Sequence, residues 1–214
     1  VCTGATATFV PVPVNGGTAP VQIANFALLS RTGKPADSTK GGSIFTHIHI
    51  GPMGVFDNKP NYDWGYVDVE ENKGKTSFTS TGGWLGFTDK YWLGALIPDQ
   101  KTPVSAKFRA SGDVYQAQVI PTRYTSVAPG AALNSGSRLF AGAKEMAVLD
   151  AYSKKLGIPY LDYAIDWGWF WFIAIPFFWI LHWLFGLFGN FGLAIIGLTI
   201  VVRGFMYPVA QKQF

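Results

Sequence analysis

Charge is what this chain has least of. Asp, Glu, Lys and Arg make up 14% of its 214 residues, where an average soluble chain carries about 25%. The deficit is local. From Trp167 to Val202 there is no charged side chain at all, every acidic residue lies at or before Asp166, and the only basic residues beyond it are Arg203 and Lys212. The first 166 residues are therefore nearly balanced despite the overall charge of +4. No cluster of Lys and Arg of the kind that neutralises phosphates is present, which argues against a nucleic-acid partner. Cysteine is equally scarce. The single one, Cys2, excludes an internal disulfide framework. It reads as a small buried thiol at a fragment edge in preference to a lipid-modified residue. No charged-then-apolar leader opens the chain at Val1, and it stops at Phe214 just after an apolar run, so it reads as a fragment of a larger protein.

What is present before residue 140 is a series of short strand-like runs: Ala7–Val14, Val21–Ser30, Ser43–Ile50, Gly65–Val69, Val104–Ala110 and Val114–Ile120. They are rich in Val, Ile, Phe, Thr and Tyr, and many alternate apolar and polar residues, the pattern that buries one face of a sheet. Turn groups such as Asn15-Gly16-Gly17, Gly51-Pro52, Asp57-Asn58-Lys59-Pro60 and Ser111-Gly112-Asp113 separate them. This spacing predicts a mainly β fold, a sandwich over 1–140. Met146, Leu149, Ser153 and Leu156 then recur at helical spacing, with Gly157 and Pro159 as a stop. A helix over about Gly142 to Leu156, with its linker, fills 141–166. His47 and His49, two apart on one strand, could share a metal, but no third ligand is apparent. No cofactor is called for, and no Ser/His/Asp, Cys/His or phosphate-loop pattern argues for catalysis.

The uncharged end divides at Phe188-Gly189-Asn190-Phe191-Gly192. The first part, 167–188, is half aromatic and contains Pro176. Trp167, Trp169, Trp171, Trp179 and Trp183 favour the headgroup level of a bilayer, where an apolar ring and an N–H donor are both accommodated. This part reads slightly better as a surface-lying segment than as a span, although it lacks the charged face of most interfacial helices and its length permits a span. The second part, 189–209, has the composition of a membrane span. Arg203 interrupts it about 18 Å from Phe191. A guanidinium there faces a wet cavity or protein, or snorkels to the headgroups. With Lys212 it marks a cytoplasmic end, and 210–214 begins a cytoplasmic region.

The run Gly82-Gly83-Trp84-Leu85-Gly86-Phe87-Thr88-Asp89-Lys90-Tyr91-Trp92-Leu93-Gly94-Ala95-Leu96-Ile97-Pro98 closely resembles a signature of the periplasmic domain in the bacterial branch of the Oxa/Alb family of membrane protein insertases. Asp162-Tyr163-Ala164-Ile165-Asp166-Trp167-Gly168-Trp169 is similar to the approach to that family's membrane core. Gly189-Asn190-Phe191-Gly192-Leu193-Ala194-Ile195-Ile196 and Val201-Val202-Arg203-Gly204-Phe205-Met206-Tyr207-Pro208 resemble the two ends of its second membrane helix. Order and spacing agree from about Gly82 to Phe214, and more weakly toward Val1.

The resemblance implies a mutarotase-like β-supersandwich in the periplasm, incomplete here at its beginning, and an interfacial helix over Trp169–Leu187. It implies that Arg203, with Thr199 one turn away, belongs to a hydrophilic substrate groove. It also implies a multi-pass inner-membrane parent with residues 1–166 in the periplasm, and as partners nascent membrane proteins, the Sec translocon with its accessory subunits, and the lipid bilayer. The family's first membrane helix, its cytoplasmic hairpin and its later helices are not in this sequence. Two other readings compete: a membrane-tethered carbohydrate-binding or mutarotase-like protein, and a structural hairpin with two spans.

Overall fold

A computed structural model describes residues 5–9, 12–35, 38, 49–71, 76–133, 136–168 and 170–211. Cys2, His47, Trp169, Lys212 and most of the Ser43–Ile50 run lie outside the described residues. The chain divides into two compact units, one ending at Asp166 and one beginning at Trp167.

Among the described residues the first unit contains twelve strands and two short helices in the order β1 Ala5–Phe9, β2 Val21–Ile23, β3 Ala27–Thr32, β4 Gly51–Phe56, β5 Lys59–Asn61, α1 Tyr66–Glu71, β6 Ser77–Thr81, β7 Trp84–Thr88, β8 Trp92–Ile97, β9 Pro103–Ser111, β10 Val114–Pro121, β11 Thr125–Val127, β12 Ser137–Ala143 and α2 Met146–Leu156. A 3-10 turn over Leu161–Ala164 follows. Six strands form one antiparallel sheet in the order β1-β12-β8-β7-β4-β5, and four form a second, β3-β10-β9-β6. β11 and β2 pair separately. The mainly β sandwich expected from the sequence is the observed fold class.

The sandwich has a third layer. Phe56, Leu85, Phe87 and Leu96 of the large sheet pack with Val104, Phe108, Tyr115 and Val119 of the small one. The opposite face of the large sheet carries Met53, Val55, Trp84, Leu93, Ala95, Ile97 and Phe140, which pack against Leu149 of α2 and against Ile158, Leu161 and Ala164 of the strap that follows it. Strands β4 and β7 are therefore buried at every position. A strand covered on both faces has no polar side to alternate with. For this reason β7 and β8 were not among the strand-like runs, and Gly51-Pro52, expected as a turn, belongs to β4, paired with Thr88 and Phe87. Pro52 sits at the second residue of its strand, where a missing donor is tolerated.

Three other expectations change. Gly65–Val69, expected as a strand, leads into α1. Its apparent alternation is overridden by a cap: Asp68 Oδ2 accepts the Gly65 N–H at 2.8 Å, and Tyr66 and Val69, three apart, are the buried pair. The Val21–Ser30 run splits, because β2 pairs with β11 while β3 pairs with β10. The helix expected from Gly142 begins at Met146, since β12 continues to Ala143 through its pairing with β8. By contrast β9 and β10 match the alternating runs closely. They close on a two-residue turn opened by Gly112 at φ 56°, a torsion glycine adopts without steric cost.

In the second unit α3 spans Trp171–Phe188 and α4 spans Phe191–Gln211. Gly189 ends α3 in the left-handed conformation, φ 62°, and donates its N–H to Phe185 O. Asn190 starts α4, its Oδ1 accepting the N–H groups of Gly192 at 2.9 Å and Leu193 at 3.2 Å. One glycine and one asparagine thus reverse the chain.

Candidate functional site

Both α3 and α4 are long and apolar enough to cross a membrane. Their surfaces differ. On α3, at 100° per residue, Trp171, Trp179, His182 and Trp183 fall within an arc of about 120°, and Ile173, Phe177, Ile180 and Leu184 fall on the other side. Trp171, Trp179 and Trp183 are all more than half exposed. α3 thus has one face carrying ring N–H groups and another of plain hydrocarbon. Trp167, just before α3, packs edge-on against Phe178 at 5.4 Å between ring centroids.

On α4 the contact with α3 fixes the orientation near the turn. Ala194 is fully buried, Phe185 and Phe191 meet edge-on at 5.8 Å, and a Cβ on Gly197 would come within 3.3 Å of Phe188 and 3.5 Å of Leu184. Small residues at this seam let the backbones approach. Arg203 lies nine residues after Ala194, which is two and a half helical turns, so it points to the opposite side of α4. Thr199 and Tyr207 stand one turn before and after Arg203, and Gln211 follows, so the four make a polar stripe on the face turned away from α3. Thr199 Oγ1 donates to Ile195 O at 2.9 Å, and Gln211 Nε2 donates to the Tyr207 hydroxyl at 2.7 Å. Arg203 is exposed and, among the described residues, has no ion-pair partner. Their spacing of four residues already puts Thr199 and Arg203 on one face, and the contact through Ala194 and Gly197 turns that face away from α3.

The signature run Gly82–Pro98 serves another purpose. Gly83, at φ 84°, leaves no room for a side chain: a Cβ would fall 2.0 Å from Val55 O. Gly82, at φ 70°, is also tight, a Cβ there falling 2.6 Å from Gln100 O, and Gln100 Oε1 accepts the Gly83 N–H at 2.9 Å. Trp84 is buried and donates its Nε1–H to Pro159 O at 3.1 Å, pinning the strap to the sheet. Asp89 pairs with Arg31 at 2.6 Å. These residues build the scaffold. Lys90 and Tyr91 lie in the β7–β8 turn and Trp92 opens β8, the turn being closed by Asp89 N–H to Trp92 O at 2.8 Å.

The histidine reading gains nothing from the geometry. His49 precedes β4 and is consumed by structural bonds: its Nε2–H donates to Pro52 O at 2.9 Å and its backbone N–H to Asp166 Oδ2 at 2.9 Å. No group of three metal-ligating side chains occurs among the described residues. A surface cavity of about 250 Å³, lined by Ser30, Arg31, Asp89 and Trp92 among others, holds one carboxylate, that of Asp89, already engaged by Arg31. It brings no second acid or base to the face of a sugar, as mutarotation requires.

Burial holds the His49 imidazole below its ordinary pKa of 6.5, against the upward pull of the Pro52 carbonyl and the Asp166 carboxylate. The unfolded chain therefore takes up this proton at a higher pH than the folded one. The contribution is fully present above pH 6.5 and declines as pH falls from there through the lower folded-state value. Denaturation of the sandwich is expected at lower denaturant at pH 5.5 than at pH 7.5, and His49→Gln is expected to flatten that difference. An equal pH slope in both proteins would mean that other groups carry it.

Residues 13–180 match the family model for the YidC periplasmic domain. Over 200 residues the chain is 42% identical to a protein of Beijerinckia indica called membrane protein insertase YidC, covering 91% of this chain and 32% of that protein. A protein of the same name from Zymomonas mobilis is 39% identical over 203 residues, 94% of this chain and 34% of the relative. One from Granulibacter bethesdensis is 44% identical over 178 residues, 79% of this chain and 31% of the relative. The chain spans about a third of the length of the curated relatives it matches.

Proposed function

From the chain's place in the YidC family, to which it belongs, we propose that it is the periplasmic sandwich, interfacial helix and second membrane helix of an inner-membrane insertase and chaperone, one that helps other membrane proteins insert and fold, alone or with the Sec translocon. The relatives' shared name supports the activity. The observation that carries the reading at residue level is the polar stripe through Thr199 and Arg203, on the face of α4 opposite Ala194.

A lone cation in a segment otherwise free of charge is costly in hydrocarbon and is kept where it faces water or protein. In this reading the stripe faces a hydrophilic groove completed by parts of the parent outside this sequence. Arg203 attracts acidic or polar stretches of the incoming chain, and the wet groove lowers the cost of stripping them of water. Thr199 bonds its own helix and offers a small polar surface beside the guanidinium. In the same reading α3 lies along the periplasmic surface of the bilayer, its tryptophan face toward the headgroups and its aliphatic face toward the acyl chains, α4 spans the membrane, and residues 1–166 lie in the periplasm.

A photoreactive residue at position 203 or 199 of the full-length parent is expected to crosslink to a nascent membrane protein during its synthesis. Arg203→Ala is expected to reduce insertion several-fold for substrates with charged translocated segments, with the protein at its normal level. Crosslinks to lipid alone, together with undiminished insertion of every such substrate, would sink the groove and leave Arg203 a snorkelling anchor.

A further inference from the structure

The end of the sandwich from which the chain departs is assembled around Lys144, at the junction of β12 and α2. Its ammonium donates to Thr88 Oγ1 at 3.0 Å. Burial lowers its pKa, while the carboxylates of Asp166 and Asp89 both act in the opposite direction. Its backbone N–H donates to Tyr91 O at 2.8 Å. Asp166, the last residue of the sandwich unit, is held in turn by the His49 N–H. The β7–β8 turn and the point of departure are thus neighbours within one rigid unit.

In that turn Tyr91 is 65% exposed, and Trp92, the first residue of β8, is 52% exposed. The Lys90 ammonium stands 5.4 Å from the centre of the Tyr91 ring and has no carboxylate partner among the described residues. The one acid of the turn, Asp89, is neutralised by Arg31. What remains outside is two amphipathic rings and one cation. Trp92 is held in β8 by its pairing with Ala143, and Leu93, the next residue, is buried, so the two rings are presented by an ordered strand start and not by a loose strand.

We propose that the Lys90-Tyr91-Trp92 segment, the β7–β8 turn and the first residue of β8, is a lipid-contact site, resting at the headgroup level of a phospholipid bilayer with its rings in the interface and Lys90 toward phosphate. Tyr and Trp rings with a polar edge are stabilised at that depth, and a lysine beside them gains from anionic headgroups. Connectivity supplies the bilayer. Asp166 is one residue, about 3.8 Å of chain, from Trp167, where the uncharged segment starts. The inference rests on the proposed membrane placement of that segment.

The test uses the full-length parent, its native cysteines replaced by serine, reconstituted in bilayers of phosphatidylethanolamine and phosphatidylglycerol. Nitroxide labels are placed singly through Tyr91→Cys, Trp92→Cys, Tyr124→Cys and Ile200→Cys. Tyr124 is 72% exposed beside β11 and reports water; Ile200 lies in α4 and reports the membrane. Collision with oxygen, which concentrates in lipid, is compared with collision with a water-soluble nickel chelate. The oxygen-to-nickel ratio at 91 and 92 is expected to be several-fold above that at 124 and below that at 200. Ratios at 91 and 92 equal to that at 124, with a high ratio at 200, overturn the lipid contact and leave the membrane reading standing. Poor access of both reagents at 91 and 92 also overturns it, by showing that protein covers the turn. A water-like ratio at 200 removes the membrane reading itself.

Discussion

Gly83→Ala is expected to destabilise the sandwich by about 3–5 kcal/mol, the upper tail for single substitutions. Two costs coincide at this position. The backbone holds φ 84°, which an L side chain adopts with about 1–2 kcal/mol of strain, and the new Cβ would stand 2.0 Å from the carbonyl oxygen of Val55, a backbone atom inside the large sheet that cannot swing aside. Relief requires β4 and β7 to separate. Gly112→Ala is the control. It shares a positive φ of 56° but meets nothing within 4 Å, so only the strain of about 1 kcal/mol remains. Denaturant unfolding of the two variants separates the clash from the torsion. A Gly83→Ala protein no weaker than Gly112→Ala would show that the sheet yields at this point.

Trp84→Ala is expected to cost a similar 3–5 kcal/mol, the range for deleting a buried aromatic residue. It removes the largest fully buried side chain among the described residues and the donor that holds Pro159 O. The distribution of the damage distinguishes it from an ordinary cavity. Hydrogen exchange is expected to accelerate first in the strap from Gly157 to Asp166 and in α2, whose Leu149 packs in the same cluster, and later in β9 and β10 on the far side. Uniform acceleration through both sheets would mean that Trp84 supports the sandwich as a whole and not the strap in particular.

How much of this was legible in the sequence follows from how many faces each element buries. β9 and β10 belong to the small sheet, have one solvated face, and announced themselves by alternation. β4, β7 and β8 lie between two layers, so their residues read as an undivided apolar run studded with glycine. The short helix α1 turned on one carboxylate, Asp68, reaching back to one N–H, a signal that five alternating residues outweighed. The boundary of the uncharged segment was plain, since the absence of charge from Trp167 to Val202 needs no tertiary information. Arg203 was legible as the lone charge in that stretch. Its direction was not, because it is defined against Ala194 and Gly197, whose role appears only once α3 lies beside them. The signature run drew notice as a pattern without revealing that most of it serves as a scaffold. That requires the approach of Val55 and Gln100, partners outside the run or at its very margin.

The strap that closes the sandwich is fastened at three places: Pro159 to Trp84, Tyr163 to the Tyr62 hydroxyl at 2.8 Å, and Asp166 to the His49 N–H. Trp84 lies on β7 and His49 just ahead of β4, adjacent inner strands of the large sheet. Mechanically, this is a moored rope. Tension arriving along the chain at Trp167 meets these fastenings in series, nearest first; two of them lead to the inner strands β4 and β7, where loosening one strand means breaking two ladders of bonds, and the third, Tyr62, follows the edge strand β5. An edge strand such as β5 would peel away under the same load. The chain leaves the sandwich through fastenings of which two of three lead to its interior strands.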